Sequence, residues 1–253
     1  MDILGIIPAR YGSSRLEGKP LKDILGKPMI QRVYEQAKKA LKQVVVATDD
    51  QRIYDTVKSF GGEVLLTGEH NTGTNRCLEA MEKWISSGKG DPDIVINIQG
   101  DEPLLDPQQI REICHCFTGP EVEMASLVIP VRNAEELVEN TGVFVVLDQN
   151  NDALYFSRSV IPFIRDQPKE HWADHHTFYR HVGMYAFTQN AIRQFSDLEQ
   201  TSLELAESLE QNRWLENGRK IRLGITHIQT MAVDTADDLQ KVTELIAGLE
   251  RSK

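Results

Sequence analysis

The sequence predicts an α/β protein built on a mainly parallel, doubly wound sheet with an antiparallel extension. Three features carry that expectation: short β-branched runs alternate with helix-periodic segments over roughly the first 115 residues, several extended runs then follow one another with little helix between them, and a loop rich in glycine and cations stands directly after the first apolar run. Open α/β sheets bind ligands just beyond the carboxyl ends of their strands, so that loop is the first place to look for chemistry.

The first run, Ile3, Leu4, Ile6 and Ile7, has the length and branching of a strand covered on both faces, and Pro8 is expected to stop its ladder by removing an N–H. The loop that follows holds Arg10, Arg15 and Lys19 among Gly12, Ser13, Ser14 and Gly18. Backbone N–H groups, hydroxyls and guanidinium forks all donate to phosphate oxygens, so polyphosphate is the ligand that suits this set. A solvated basic loop is the ordinary reading of three cations. Here they stand out, because the chain has 38 Asp and Glu against 28 Lys and Arg, a formal charge of −10. Neither GxxxxGK[ST] nor GxGxxG is present, which excludes the two common glycine-rich phosphate fingerprints.

Ile30, Val33, Ala37 and Leu41 recur at helical spacing before the strand Val44 to Ala47, completing a βαβ unit. Thr48-Asp49-Asp50 caps the next helix (Ile53, Val57, Phe60), Gly61-Gly62 turns the chain, and Val64 to Leu66 forms a third strand. A helix through Leu78, Met81, Glu82 and Ile85 leads to the strand Ile94 to Ile98, and another through Ile110, Ile113 and Cys114 closes this part. Met124 to Val131, Val143 to Leu147, Ala153 to Phe156 and Tyr179 to Phe187 then read as extended, with a hairpin turn at 149–152. We expect a single domain over 1–253, with about 124–187 as the antiparallel extension, used for sugar contacts or dimerisation. The tail reads as a helix from Leu203 to Asn217 stopped by Gly218, a strand from Ile221 to Ile225 and a final helix from Thr235 to Leu249. Asp166 to His176 is the least ordered stretch expected.

The acidic balance disfavours nucleic acid and anionic membranes as partners. No apolar run approaches the roughly 18 residues needed to cross a bilayer, so membrane insertion is not expected and a cytoplasmic location is. Cys77, Cys114 and Cys116 form no CxxC pair and read as reduced structural thiols.

Two acidic positions complete the candidate chemistry. Asp101, in Gln99-Gly100-Asp101-Glu102-Pro103 after the strand ending at Ile98, is placed to hold Mg²⁺ against phosphate oxygens, since that ion takes one or two protein carboxylates plus substrate and water. Its shorter side chain suits a metal near the backbone better than Glu102 does. In Val233-Asp234-Thr235-Ala236-Asp237-Asp238, Thr235 and Asp238 have capping-box spacing, which leaves Asp234 free to converge on Asp101.

The ordered segments IIPARYGSSRLEGKPL, VVVATDD, NTGTNR, NIQGDEP, ALYFSRSVIP, YRHVGMYAF, SLELAESLEQNRWLENG and VDTADDL resemble those of the 3-deoxy-manno-octulosonate cytidylyltransferase family over nearly the whole chain. The resemblance implies a Rossmann-like nucleotide-diphosphosugar-transferase fold and a homodimer. It implies a magnesium-dependent reaction of CTP with an eight-carbon acid sugar, giving a CMP-sugar and pyrophosphate for lipopolysaccharide biosynthesis. It assigns Arg10, Ser13, Arg15 and Lys19 to the triphosphate, the backbone near Ala9 with Gly73 and Thr74 to cytidine, and Asp101 and Asp234 to the metal. Gln99, Arg158, Arg165, His181, Tyr185 and Glu210 fall on its sugar pocket. The chain departs from the family pattern at Asn75 and Phe144, where an acid and a lysine are usual, and at Ala232, where glycine is usual. The ordinary octulosonate is the expected substrate. An 8-amino variant or another acid sugar is the alternative within the class, and a non-catalytic nucleotide binder is the alternative outside it.

Overall fold

A computed structural model describes residues 1–12, 15–131, 133–139 and 142–251. From the N-terminus, β1 (Ile3–Ala9) leads through a 3-10 turn (Lys19–Leu21) to a small ribbon, β2 (Asp23–Ile24) and β3 (Lys27–Pro28), and then to α1 (Met29–Lys38). There follow β4 (Gln43–Thr48), α2 (Gln51–Ser59), β5 (Val64–Leu66), α3 (Gly73–Ser86), β6 (Ile94–Asn97) and α4 (Pro107–Cys114). Next come β7 (Met124–Pro130), α5 (Ala134–Glu139), β8 (Phe144–Leu147), β9 (Ala153–Ser157), a 3-10 turn (Lys169–His171) running into α6 (Trp172–His175), and β10 (Tyr179–Thr188). The chain ends with α7 (Gln189–Asp197), α8 (Ser202–Glu207), α9 (Gln211–Glu216), β11 (Arg222–Ile225) and α10 (Ala236–Arg251).

These elements form two compact units, one of Met1–Arg111 with the chain from Gln229 onward, the other of Glu112–Ile228. The second unit is wider than the stretch 124–187 expected from the sequence, because α7, α8, α9 and β11 belong to it.

In the first unit a parallel sheet runs in the order β6-β1-β4-β5, so the direction of winding reverses at β1. The loops after β1 and β6 therefore leave neighbouring strand ends, the arrangement that opens a crevice in such sheets. Pro8 does not stop the strand. Pairing with β6 is over at Ile6↔Asn97, while β4 continues alongside through Pro8↔Ala47 and Ala9↔Thr48, so proline sits where only one neighbour remains. Asp50 caps α2 by accepting from the Arg52 N–H, and Thr72 caps α3 by accepting from the Asn75 N–H. A fully buried apolar group of Ile24, Met29, Val233 and Val242, with Leu16, Leu104, Met231 and Leu239 against it, packs α10 onto this unit.

In the second unit β7 pairs antiparallel with β10 and parallel with β11, and β8 joins β10 and β9 in antiparallel fashion. The turn expected at 149–152 is formed by the Asp148 carboxylate, which accepts from the Asn150 and Asp152 N–H groups, with Asn151 at φ 60°. Two expectations are corrected. Asp166 to His176 is not structureless: it carries the 3-10 turn and α6, anchored by Trp172, which packs with Leu137, Phe144 and Phe178. The helix expected from Leu203 to Asn217 is two helices, broken at Ser208 with φ 52°. Arg213 folds α9 back on α8 through a buried bidentate pair with Glu204, at 2.6 and 2.5 Å, an ionic contact that a straight helix could not make at that separation. Gly218, at φ 71°, ends α9 as its sequence position predicts.

Candidate active site

A cavity of about 340 Å³ opens at the carboxyl ends of β1 and β6, wholly within the first unit. Of the residues singled out in the sequence, it gathers Ala9, Arg10, Arg15, Lys19, Gly73, Gln99, Asp101 and Asp234. Thr74 is the fully buried neighbour of Gly73 on α3. Ser13, assigned to the triphosphate by resemblance, lies outside the described residues, as does Ser14.

Local chemistry explains the convergence. Gly100 lets the loop after β6 approach β1, since a Cβ there would stand 3.0 Å from the Pro8 carbonyl oxygen. The Val233 N–H donates to the Asp101 carbonyl at 2.9 Å, tying the segment before α10 to the loop after β6. Thr235 and Asp238 close a reciprocal cap, with Thr235 N–H to Asp238 Oδ2 at 2.9 Å and Asp238 N–H to Thr235 Oγ1 at 3.2 Å. That cap leaves the Asp234 carboxylate to face the cavity. Glu102 is not part of the carboxylate pair: it takes the Thr230 hydroxyl at 2.8 Å, and burial, with the charge of Asp101, pushes its carboxyl above the usual range.

Lys19 sits at the centre of the charges. Its Nζ lies 2.8 Å from Asp101 Oδ2 and 3.1 Å from Asp234 Oδ1, and Arg15 Nη2 lies 3.0 Å from the same Asp234 oxygen. Burial works to lower the Lys19 pKa, but the hydrogen bonds and charges of Asp101 and Asp234 together outweigh it and hold the ammonium form above its ordinary range. Two carboxylates from distant parts of the sequence thus answer one cation. A hard divalent ion prefers such oxygens.

Several lining residues were not singled out from the sequence. His70 and Asn71 follow β5, Thr72 caps α3, and Arg76 lies on α3 with only 3% of its surface exposed. Arg76 is paired with Asp49 at 2.7 Å and donates to Thr67 Oγ1 at 2.6 Å, so it fixes the ends of β4 and β5 beside the cavity. His70 is hydrogen-bonded to Glu79, whose carboxyl falls to about 2 because donors from Lys83, His70 and the Gly68 N–H overcome the cost of burial. Arg76 stands in the NTGTNR segment and was readable as a site residue. For His70 the one signal was its place in a loop beyond a strand's carboxyl end.

The remaining sugar-pocket candidates stand in the second unit. His181 and Tyr185, both on β10, have ring centroids 5.3 Å apart, and His181 also meets Phe156 edge-on at 5.0 Å. His181 Nε2 lies 2.8 Å from Ser126 Oγ, and burial lowers its pKa to about 3, so the ring is neutral. The Tyr185 hydroxyl donates to Gln211 Oε1 at 2.9 Å, and burial, then the charge of Glu210, pushes the phenol well above its usual value. Arg158 donates to the Glu207 and Ser208 carbonyls and closes the end of α8. Arg165 is exposed and pairs with Asp166 at 3.1 Å.

The chain whose parallel sheet holds these cations and paired carboxylates at its switch point matches the cytidylyltransferase family profile over residues 4–221, which makes it a nucleotidyltransferase. Over 253 aligned residues the chain is 50% identical to the 3-deoxy-manno-octulosonate cytidylyltransferase of Parabacteroides distasonis, covering 98% of this chain and 99% of that one. The chain belongs to the 3-deoxy-manno-octulosonate cytidylyltransferase family. A solved CMP:2-keto-3-deoxy-manno-octonic acid synthetase, complexed with CTP, superposes with a TM-score of 0.89 at 41% identity, covering 98% of this chain and 99% of the other. A cytidylyltransferase from Leptospira borgpetersenii, at 16% identity and a TM-score of 0.62 over 98% of this chain and 87% of its own, shares the fold.

Proposed function

We propose that the chain transfers CMP from CTP to 3-deoxy-D-manno-octulosonate, releasing pyrophosphate and supplying an activated sugar for lipopolysaccharide biosynthesis. The observation that carries the reading is the convergence of Arg15, Lys19, Asp101 and Asp234 within 3.1 Å contacts at one cavity. The sugar's anomeric hydroxyl attacks the α-phosphorus, a P–O bond forms as the bond to the β-phosphate oxygen breaks, and the hydroxyl proton passes to solvent. Alignment and charge neutralisation are the protein's tasks in such an in-line displacement. Arg10, Arg15 and Lys19 answer the charge of the triphosphate and then of the departing pyrophosphate. The start of α3 at Gly73 and Thr74 and the backbone at Ala9 line the part of the cavity assigned to cytidine.

Asp101 and Asp234 fit a magnesium ion, because both already direct an oxygen at the same ammonium. Among the described residues no group of three or more His, Cys, Asp or Glu side chains forms a metal cage, so phosphate and water oxygens would complete the coordination. When bound, the ion supplies Lewis-acid neutralisation of the reacting phosphate. Gln99, Arg158, Arg165, His181, Tyr185 and Glu210 are proposed to recognise the sugar's carboxylate and hydroxyls. No helix among the described residues is long and apolar enough to cross a membrane. Cys77, Cys114 and Cys116 are free thiols, which supports a cytoplasmic enzyme. A homodimer is proposed as the assembly.

Pyrophosphate release from CTP, measured with a panel of acid sugars, tests the reading. Release is expected with the ordinary octulosonate and magnesium, and Arg15→Ala is expected to lower turnover by about 10²–10³ with the fold intact. CTP binding without release on any sugar would make the chain a nucleotide binder. Near-normal turnover of the Arg15 variant at saturating CTP would remove that residue from the chemistry.

A further inference from the structure

Arg52 is outside the cavity, on the first turn of α2, yet its guanidinium stands 3.3 Å from the centroid of the Tyr11 ring. An N-cap pair alone does not account for this. Arg52 is held by Asp50 in a fork, Nε to Oδ1 at 3.0 Å and Nη2 to Oδ2 at 2.6 Å, and Asp50 also accepts the Arg52 N–H at 2.9 Å. The fork fixes the guanidinium plane to the start of α2 and neutralises its charge. On the other side, Tyr11 rests on Gly18: a Cβ at residue 18 would meet ring atoms and the phenol oxygen at 3.1–3.2 Å. The Gly18 N–H closes the contact by donating to the Tyr11 carbonyl at 3.0 Å, and Gly18 takes φ 64°, a left-handed conformation that suits glycine. Residues 11 and 18 are immediate neighbours of Arg10 and Lys19, and Arg15 lies between them.

We propose that Tyr11 and Arg52 are positioning residues that hold Arg10 and Arg15 ready for the triphosphate before the nucleotide arrives. The inference rests on the triphosphate role proposed for those cations. Three like charges kept close together repel one another and gain entropy by dispersing. Lys19 is restrained by two carboxylates, whereas the Arg15 side chain is 63% exposed and has the single partner Asp234 among the contacts above. A rigid ring sandwiched between a neutralised guanidinium and a glycine limits that dispersal without adding net charge.

The effect should fall on binding, because bound CTP restores the order that the stack supplies beforehand; KM rises with kcat kept when ground-state and transition-state binding are lost together. Losing one exposed stack corresponds to about two- to fivefold in the equilibrium, and losing the ring as well, which frees neighbouring side chains, to about tenfold. Steady-state kinetics and calorimetric CTP titration of the full chain are therefore expected to give Tyr11→Ala a KM and Kd for CTP about tenfold higher, with kcat within about twofold. Tyr11→Phe keeps the ring and should behave as wild type. Arg52→Ala should show the smaller defect, Arg52→Lys should not repair it because an ammonium lacks the plane, and the double variant should be no worse than Tyr11→Ala alone. Thermal unfolding of the Arg52 variants should match wild type. Equal KM values for Tyr11→Ala and Tyr11→Phe, strictly additive defects, or a fall in kcat at constant KM would each overturn the clamp. Arg15→Ala is the reference: if it lowers CTP affinity and Tyr11→Ala does not, the clamp alone is wrong; if neither does, the triphosphate assignment is wrong and the clamp falls with it.

Discussion

Replacing Phe144 by Lys introduces the residue that the family resemblance leads one to expect there, and the structure predicts that it harms stability without changing the sugar chosen. Phe144 is 1% exposed and packs with Leu137, Trp172 and Phe178. Losing a buried phenylalanine from such a cluster costs about 3–5 kcal/mol. The lysine stem would return part of that through its methylenes, provided the ammonium reached solvent. Register opposes this route, because Phe144 lies directly opposite Arg180 on β10, and like charges facing across strands repel. Arg180 already lies 3.7 Å from Glu136. The net loss is therefore expected at about 2–4 kcal/mol, read as a lower urea midpoint at unchanged m-value. In parallel, kcat/KM for the ordinary octulosonate and its 8-amino analogue should keep the same ratio, since specificity is the ratio of those constants. A folded Phe144→Lys variant with an unshifted midpoint and an altered sugar ratio would refute the reasoning and place this position in the sugar site.

Asp101→Asn and Asp234→Asn are each expected to lower magnesium-supported turnover by at least about 10², and each should also lower the affinity of CTP for the protein in magnesium; equal activity of the Asp234 variant would leave that residue only an ion-pair partner of Arg15 and Lys19. His181 gives a pH signature: its folded pKa of about 3 is depressed below the ordinary 6.5, so the unfolded chain takes the proton first and stability is lost as pH falls from 6.5 toward 3. The residue as a whole is half-buried, so the effect is taken below its full value, and acid unfolding of His181→Gln against wild type should show the variant gaining about 1–2 kcal/mol relative to wild type by pH 4; parallel profiles would mean that His181 is charged in the fold.

Elements whose signal is local were legible in the sequence. The strands of the first unit announce themselves as β-branched runs, Asp50 and Gly218 mark helix ends by their own chemistry, and Asp148 to Asp152 form a turn from a side chain reaching its own backbone. What was not legible depends on partners far along the chain. Pro8 is tolerated in β1 because β6 ends early, α8 breaks from α9 because Arg213 must reach Glu204, and α6 is ordered because Trp172 finds the Phe144 cluster. The candidate site divides in the same way. Loop cations and an aspartate after a strand can be read locally, and Thr235 with Asp238 shows why Asp234 is spare. That Lys19 stands between the two carboxylates, and that Arg52 reaches Tyr11, are facts of tertiary placement without a sequence pattern.

The resting charges of the cavity suggest why nucleotide and metal belong together in this reading. Arg15 and Lys19 contribute two positive charges and Asp101 and Asp234 two negative ones, all within 3.1 Å contacts, so this group is balanced before any ligand enters. A triphosphate arriving alone would draw the cations away and leave two carboxylates facing its own negative oxygens. A divalent ion arriving alone would compete with the ammonium that already satisfies the carboxylates. Together they would let partners exchange: phosphate oxygens would take the guanidinium and ammonium, and the carboxylates would take the metal. Such an exchange makes the two affinities mutually dependent, and linkage requires the dependence to be equal in both directions. The Lys19 ammonium, 2.8 Å from Asp101 and 3.1 Å from Asp234, is what holds these two like-charged side chains together in the resting cavity.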